Sequence, residues 1–388
     1  MTPADIIQLH INDDVYALSA NNRWCENYDK KWLVLQIQAR QKAKSKLPSW
    51  YGNFDLLFPP PLSVEQCSSE LAARYKASLI SGGSLLDMTG GMGIDASAFA
   101  PRCNHIAFFE KQPPVAKIAQ HNFNALKISN IQVHCADSSL LLPSLPSFDH
   151  IYLDPARRKE GLKVFRLEDC EPDILALLPI LTQKTTHLIL KLSPLFDLSL
   201  LQQQLNNISA IHIVAVHNEV KELLVEIRPA ASNTTPTISC VNLETDSQRS
   251  WSWSKERAPF SPAFAVPSSG DFLYEPHPTV MKSGLMDTMT SQYKMAKLHP
   301  NSHLYTSKSI YSDFFGRVFK IESVFGMGKA ELKTGLRGIS KANITIRNFP
   351  LSAEALRKKI KIADGGDVTL FATTLADGKK VILKTVKA

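Results

Sequence analysis

Apolar positions in the first 80 residues recur at helical spacing. WCENYDKKWLVLQIQARQKAKSKLPSW keeps a helical period and stops at a proline, FDLLFPPPLS reads as a loop, and SVEQCSSELAARYKASLI reads as a further helix with Ser63 as its N-cap. From residue 84 the pattern changes to short apolar runs joined by helical stretches: SLLDM (84–88), HIAFFE (105–110), IQVHC (131–135), HIYLD (150–154), HLILKLS (187–193), IHIVAVH (211–217) and ELLVEIR (222–228). Such alternation predicts a parallel sheet with helices on both faces. Residues 218–221 are too few for a crossover helix, so the last two runs are expected to form an antiparallel hairpin. The fold class expected is therefore α/β, a seven-stranded Rossmann-like sheet whose last strand is antiparallel.

Past residue 230 the texture shifts. ASNTTPTIS is polar and linker-like, Pro and Ser stay frequent to residue 270, and a mixed α/β region runs to about residue 330. The last piece offers a strand NITIRNF (343–349), a helix SAEALRKKIKIA (352–363) and a hairpin VTLFATTLADGKKVILKTV turning at ADGK. This predicts an N-terminal helical region (1–80), a sheet domain (81–230), an α+β domain (231–330) and a C-terminal module (331–388), in keeping with a length of 388 residues.

Composition narrows the function. With 44% apolar and 21% charged residues the chain reads as globular. No run approaches the ~20 apolar residues of a membrane span, and MTPADIIQLHINDD lacks a signal peptide's basic start and apolar core, so a cytoplasmic protein is expected. The six cysteines lie far apart with no CxxC pair, which argues against a zinc site and a disulfide framework; His277 and His303 flank turns and read as structural. Residues 1–230 hold 22 Lys+Arg against 23 Asp+Glu, and residues 231–388 hold 22 against 13, so the whole net charge of +8 comes from the C-terminal part. A basic module beside a neutral one suggests a polyanion such as nucleic acid; a merely solvated basic surface is the alternative.

The densest chemical signal is LLDMTGGMGID (85–95). A phosphate-binding P-loop needs Gly-Lys-Ser/Thr, but Gly93 is followed by Ile94 and Asp95. Acids on both sides of the turn are also hostile to a dinucleotide's pyrophosphate. S-adenosylmethionine (SAM) carries an ammonium and a sulfonium, so the same acids favour it, and glycines let backbone approach ligand closely. Three later acids fall at strand ends: Glu110, placed to accept ribose hydroxyls; Asp137, placed to accept the adenine amine; and Asp154 in DPAR. Ligands of open α/β sheets sit at the strands' carboxyl ends, so the four acids predict one SAM site.

At these residues the sequence resembles the class I SAM-dependent methyltransferases. The resemblance implies that Asp87, Thr89, Gly91 and Gly93 form the SAM loop, with Glu110 on ribose, Asp137 on adenine and DPAR at motif IV. EQCSSELAARYKA is similar to the helix that precedes the SAM loop in many RNA methyltransferases, which would place Gln66 over the cofactor. DPARR…EDCEPDI (154–174), FLYEPHPTVMKSG (272–284), KLHPNSHLYTS (297–307) and the tail from IRNFPLS onward resemble one bacterial family, class I methyltransferases with a ferredoxin-like insert and a C-terminal THUMP-like domain. THUMP domains elsewhere deliver tRNA to modification enzymes.

In relatives with Asp/Asn-Pro-Pro-Tyr/Phe, the acid and the first prolyl carbonyl hold an exocyclic amine while the aromatic stacks on the base. Here Asp154 and Pro155 take the first two parts, but Ala156 and Arg157 replace the others; Arg157 can stack by its guanidinium plane or bind phosphate. Pyrimidine C5 transfer needs a cysteine nucleophile, LILKLSPLFD has none, and Cys170 reads as a packed thiol. The basic run Arg157, Arg158, Lys159, Lys163 and Arg166 is either a phosphate contact or a solvated loop paired with its acids, and RKKIK (357–361) reads as an exposed helix face. The function expected is SAM-dependent methylation of RNA, tRNA before rRNA, at a base nitrogen, with Asp154, Pro155 and Arg157 at the chemistry and no metal. The alternatives are a SAM- and RNA-binding protein with little activity, or a methyltransferase for another substrate.

Overall fold

The computed structural model describes the chain except residues 22, 26, 158–165, 232–234 and 254–261 and the side chain of Arg157. It divides into two compact units. The first comprises Met1–His217, Lys221–Thr237 and Leu243–Gln248; the second comprises Asn218–Val220, Ile238–Asn242 and Arg249–Ala388. Among the described residues no helix is long and apolar enough to cross a membrane.

The N-terminal region forms six helices: α1 (Pro3–Leu9), α2 (Val15–Ala20), α3 (Lys30–Ala43), α4 (Pro48–Tyr51), α5 (Pro61–Gln66) and α6 (Glu70–Ser78). Asp29 caps α3 by accepting from the N–H groups of Lys31 and Trp32, and Leu33 and Ile37 turn its apolar stripe fully inward. The helix expected from Ser63 is in fact two. The α5 helix ends at Cys67, which is extended, and Ser69 caps α6 by accepting from the Ala72 N–H at 3.2 Å. The serine pair Ser68-Ser69 competes with helical backbone bonding and starts a new helix instead. Arg40 of α3 is wholly buried; its Nη1 donates to the carbonyls of Trp50 (3.3 Å), Tyr51 (3.0 Å) and Asn53 (2.8 Å), and its Nη2 to that of Leu56 (2.7 Å). Its guanidinium lies 4.8 Å from the rings of both Phe54 and Phe58, and burial pulls its pKa down to about 10. One side chain thereby satisfies the backbone of an irregular segment that has no sheet to join.

All seven expected strands are present: β1 (Ser84–Asp87), β2 (His105–Phe109), β3 (Ile131–His134), β4 (Phe148–Leu153), β5 (Thr185–Leu192), β6 (Ile208–Val216) and β7 (Glu219–Ile227). The β1 strand pairs in parallel with β2 and β4, β2 with β3, and β4 with β5, while β7 lies antiparallel to β5. The turn between β6 and β7 is His217-Asn218, both at positive φ, shorter than the linker expected. The count of seven needs correction: β8 (Thr237–Leu243) and β9 (Gln248–Trp253) extend the sheet to nine in the order β9-β8-β6-β7-β5-β4-β1-β2-β3, so β7 is not its last strand. Helices α7 (Ile94–Phe99), α8 (Pro113–Ala125), α9 (Ser138–Leu141), α10 (Ile174–Lys184) and α11 (Leu198–Gln204) are interleaved with the strands. Leu85, Ile106, Phe108 and Ile189, all fully buried, share one core with Phe99 and Phe123 from the helices.

The second unit holds a seven-stranded sheet built from β10 (Phe272–Pro276), β11 (Ala296–Lys297), β12 (Tyr305–Ser307), β13 (Gly316–Gly326), β14 (Asn343–Arg347), β15 (Val368–Thr374) and β16 (Lys380–Lys387), in the order β11-β12-β10-β13-β16-β15-β14. One sheet thus runs from residue 272 to 387, and β15 and β16 form the hairpin expected around Asp377-Gly378. Buried Glu275 pairs with Arg317 and Arg347.

Arg40→Met should destabilise the protein by about 3 kcal/mol or more, since four carbonyls lose their donor. Urea denaturation followed by tryptophan fluorescence checks this; a change under about 1 kcal/mol would show that the segment holds itself.

Candidate functional site

Chain order reverses between β1 and β4, so the loops leaving their carboxyl ends diverge and open a crevice. Two adjoining cavities occupy it, of about 500 and 190 Å³, and Thr89, Gly91, Glu110, Gln112 and Asp154 line both. Together they suit a nucleoside joined to an amino acid. Asp137, Ser138 and Leu140 wall the larger cavity; Gln66, Ser68, Met92, Gly93 and Asp95 wall the smaller.

The glycines have separate tasks. A Cβ on Gly90 would lie 2.2 Å from the Phe108 ring, so that glycine lets the turn close over the core. Gly91 and Gly93 have φ of +56° and +87°, the left-handed region. This aims the Gly91 N–H at Glu110 Oε2 (2.9 Å), while Glu110 Oε1 accepts from the Gln112 N–H at 2.7 Å. Both carboxylate oxygens are thus fixed by backbone and keep lone pairs for a ligand. Asp137 caps α9, accepting from the N–H and Oγ of Ser139, and the Ser139 hydroxyl first of all holds its pKa below the usual carboxylate range.

Asp87 lies behind the turn, 1% exposed, and lines neither cavity. Its Oδ1 accepts from the Thr89 N–H (3.1 Å), and its Oδ2 is buried with no partner. Burial pushes this carboxyl well above its ordinary value, and Asp95, Asp154 and Glu110 add to the rise. Asp154 is fixed by its N–H, which donates to Thr89 Oγ1 at 2.7 Å, and by an ion pair of its Oδ2 with Lys191 Nζ at 2.5 Å. Burial opposes the charge of Lys191, but Asp154, Glu222 and Asp95 more than offset it and raise the pKa above the ordinary lysine value.

Beside this pair lies a second buried cation. Lys76 of α6, fully enclosed, reaches Ser68 Oγ (2.6 Å), Asp95 Oδ1 (2.9 Å) and Glu222 Oε2 (3.3 Å). Asp95 Oδ2 accepts from Ser68 Oγ (2.8 Å) and the Tyr152 hydroxyl (2.7 Å). Around the turn, then, Asp87, Asp95, Glu110, Asp154 and Glu222 outnumber Lys76 and Lys191. A buried excess of carboxylates over ammonium groups calls for a cation, and Asp87 Oδ2 and Glu222 Oε1, both buried without a partner, show that the balance is short. Sulfonium and ammonium groups on a nucleoside frame fit this donor set; a pyrophosphate does not.

Of the residues singled out from sequence, Thr89, Gly91, Gly93, Glu110, Asp137, Asp154 and Gln66 meet in the crevice, and Asp87 backs it. Pro155 follows Asp154 at the crevice edge but lines neither cavity. The backbone of Ala156–Arg157 pairs antiparallel with Cys170–Glu171, while Arg158, Lys159 and Lys163 lie outside the described residues. Cys170 is buried. Sequence reasoning took Asp95 as an acid flanking the turn but missed its partners, and it missed the site roles of Lys76, Tyr152, Lys191 and Glu222. The signal for the lysines was available: Lys191 interrupts an apolar parallel strand, and Lys76 falls on the apolar stripe of ELAARYKAS, three and four residues after Ala73 and Ala72.

Three family models match the sequence: conserved hypothetical protein 95 over residues 26–170, a ferredoxin-like domain over 272–314 and a THUMP domain-like module over 316–385. No curated protein matches. A solved structure from Porphyromonas gingivalis W83, described as a candidate methyltransferase, is 34% identical; the match covers 100% of this chain and 97% of that one with a TM-score of 0.89. An rRNA methylase from Streptococcus thermophilus (12% identity, 40% of this chain and 93% of its own, TM-score 0.31) and a candidate methyltransferase from Streptococcus mutans in complex with SAH (12%, 41% and 96%, TM-score 0.31) match only in part and carry no argument here. By its full-length likeness to the Porphyromonas protein and its three matched domains, the chain belongs to the bacterial family of class I methyltransferases with a ferredoxin-like domain and a C-terminal THUMP-like domain.

Proposed function

We propose that the protein is a SAM-dependent methyltransferase acting on RNA, tRNA before rRNA. The observation that carries the cofactor is the buried surplus of carboxylates around the glycine turn, with Asp87 Oδ2 unpartnered. In this reading the turn Thr89–Gly93 and Asp87 receive the amino-acid end, Glu110 the ribose hydroxyls and Asp137 the adenine amine. When bound, SAM supplies a methyl group activated by its sulfonium. The chain's own part is to align the acceptor, exclude water and take up the leaving proton, for which Asp154 is placed at the junction of the two cavities.

The RNA reading is supported by the THUMP-like match and by the basic second unit. Some of that charge is internally paired, as in Arg317 and Arg347 on Glu275 and Arg357 on Asp364. Lys329, Lys333, Arg337, Lys341, Lys358 and Lys359 are exposed and open to a phosphate backbone. A base nitrogen as acceptor has only Asp154-Pro155 in its favour. Ala156 leaves the stacking position without an aromatic, the feature that keeps a SAM- and RNA-binding protein of little activity as the second reading.

Two experiments test this. Protein incubated with methyl-labelled SAM and total RNA from a strain lacking the gene should yield label that ribonuclease releases, and Asp154→Ala should bind SAM normally and lose turnover by about 10²-fold or more. Label resistant to ribonuclease would make the substrate something other than RNA; SAM binding without label would favour the non-catalytic reading. Second, Asp87→Asn should weaken SAM binding about 10-fold or more in calorimetry while raising the melting temperature at pH 8. The sign follows from the raised carboxyl of Asp87: the folded state resists its ionisation, so wild-type stability falls as pH rises above ~3.9, and the variant's advantage should vanish toward pH 4. Unchanged SAM affinity in Asp87→Asn would remove this acid from the cofactor site.

A further inference from the structure

The chemistry around Asp154 discriminates among acceptor atoms. A pyrimidine C5 acceptor needs a thiolate nucleophile. The thiol lining the crevice, Cys67, is pushed up to about 11 by burial, which keeps it protonated, and Cys170 is packed away. An amine acceptor gains positive charge as it attacks a methyl group. It therefore needs an acid free to hold it and a flat surface to clamp its ring. Here a fixed ammonium, Lys191 Nζ on Asp154 Oδ2, opposes positive charge growing on an amine, the next residue but one is Ala156, and Phe109, the one aromatic lining either cavity among the described residues, is stacked on His134.

A hydroxyl has the opposite requirements. It is a poor nucleophile until its proton leaves, and the oxygen then carries negative charge that a fixed ammonium stabilises. A carboxylate and an ammonium side by side supply both functions. Asp154 and Lys191 are such a pair, and both are partly accessible, with 33% and 14% of their side chains exposed. Behind them Lys76, clamped by Asp95 and Glu222, holds two of the three acids that keep Lys191 charged, and Tyr152 fixes the far side of Asp95.

We propose that the methyl acceptor is a hydroxyl of the RNA, the ribose 2′-oxygen, with Asp154 taking its proton and the Lys191 ammonium stabilising the oxygen, while Lys76 and Glu222 act as positioning residues. The inference rests on the methyltransferase reading and replaces the base nitrogen with the one sugar hydroxyl that distinguishes RNA from DNA. In the step, the O–H bond breaks and its proton passes to Asp154. The freed oxygen pair forms the new O–C bond with the sulfonium methyl, and the electrons of the broken S–C bond stay on sulfur, which leaves neutral. Asp154 then releases the proton to water, and the Lys191–Asp154 ion pair is restored.

Alkaline hydrolysis of the labelled RNA separates the acceptors, because a 2′-O-methyl group blocks cleavage of the adjacent phosphodiester. Label should appear in alkali-stable dinucleotides. Lys191→Met should keep SAM affinity within about threefold by calorimetry and lower incorporation about 10²-fold or more. An RNA with 2′-deoxyribose at the labelled nucleotide should accept no methyl group. Label in mononucleotides would overturn the ribose acceptor and leave the methyltransferase reading standing. Normal incorporation by Lys191→Met would remove the lysine from the step. Absence of label from any RNA, with SAM bound, would overturn both readings together.

Discussion

The arrangement of the first unit depends on one electrostatic constraint: carboxylates gathered around the glycine turn, most of them buried, must be balanced largely by the protein's own groups. Asp87, Asp95, Glu110, Asp154 and Glu222 face a common interior, and each is met differently. Glu110 is held by two backbone N–H groups, Asp95 by Ser68, Lys76 and Tyr152, the Asp154 carboxylate by Lys191, and Glu222 by Lys76. Asp87 and Glu222 are each left with one oxygen unmatched. Removing a partner from such a network typically costs 3–5 kcal/mol, so the lysines are as fixed by the acids as the acids by the lysines.

That constraint explains features with no other purpose in a core. A lysine inside an apolar strand and another on the buried stripe of a helix are both expensive unless their ammonium groups meet carboxylates. Three glycines in a row of four residues weaken a turn, yet here one clears Phe108, one aims an N–H at Glu110 and one starts α7 at positive φ against Phe123. Local choices that are unfavourable for folding coincide at one crevice, as expected where a site rather than stability sets the sequence.

How much of this was legible in the sequence varies by element. The seven apolar runs located β1 to β7, because parallel strands buried on both faces leave continuous hydrophobic stretches. The strands β8 and β9 went unseen: β8 begins inside the polar ASNTTPTIS stretch, and QRSWSW alternates too weakly to outweigh its serines. The two-helix break at Ser68-Ser69 was hidden by a continuous helical period, since capping chemistry overrides periodicity at a boundary. The acids at the strand ends were readable because their positions follow from strand ends alone. The lysines were visible as misplaced charges in apolar patterns, but which acids they meet was not, because Lys76, Lys191 and Glu222 come from elements far apart in sequence. The consequence was substantive: without Lys191, Asp154 looks like a free acceptor for an amine.

Calorimetric titration of the purified full-length protein with SAM, and separately with NAD, tests the central claim most directly. The charge imbalance predicts saturable one-site binding of SAM and none of NAD, because the site's carboxylates outnumber its two lysines and oppose a pyrophosphate. Binding of NAD, or no binding of SAM, would contradict the account.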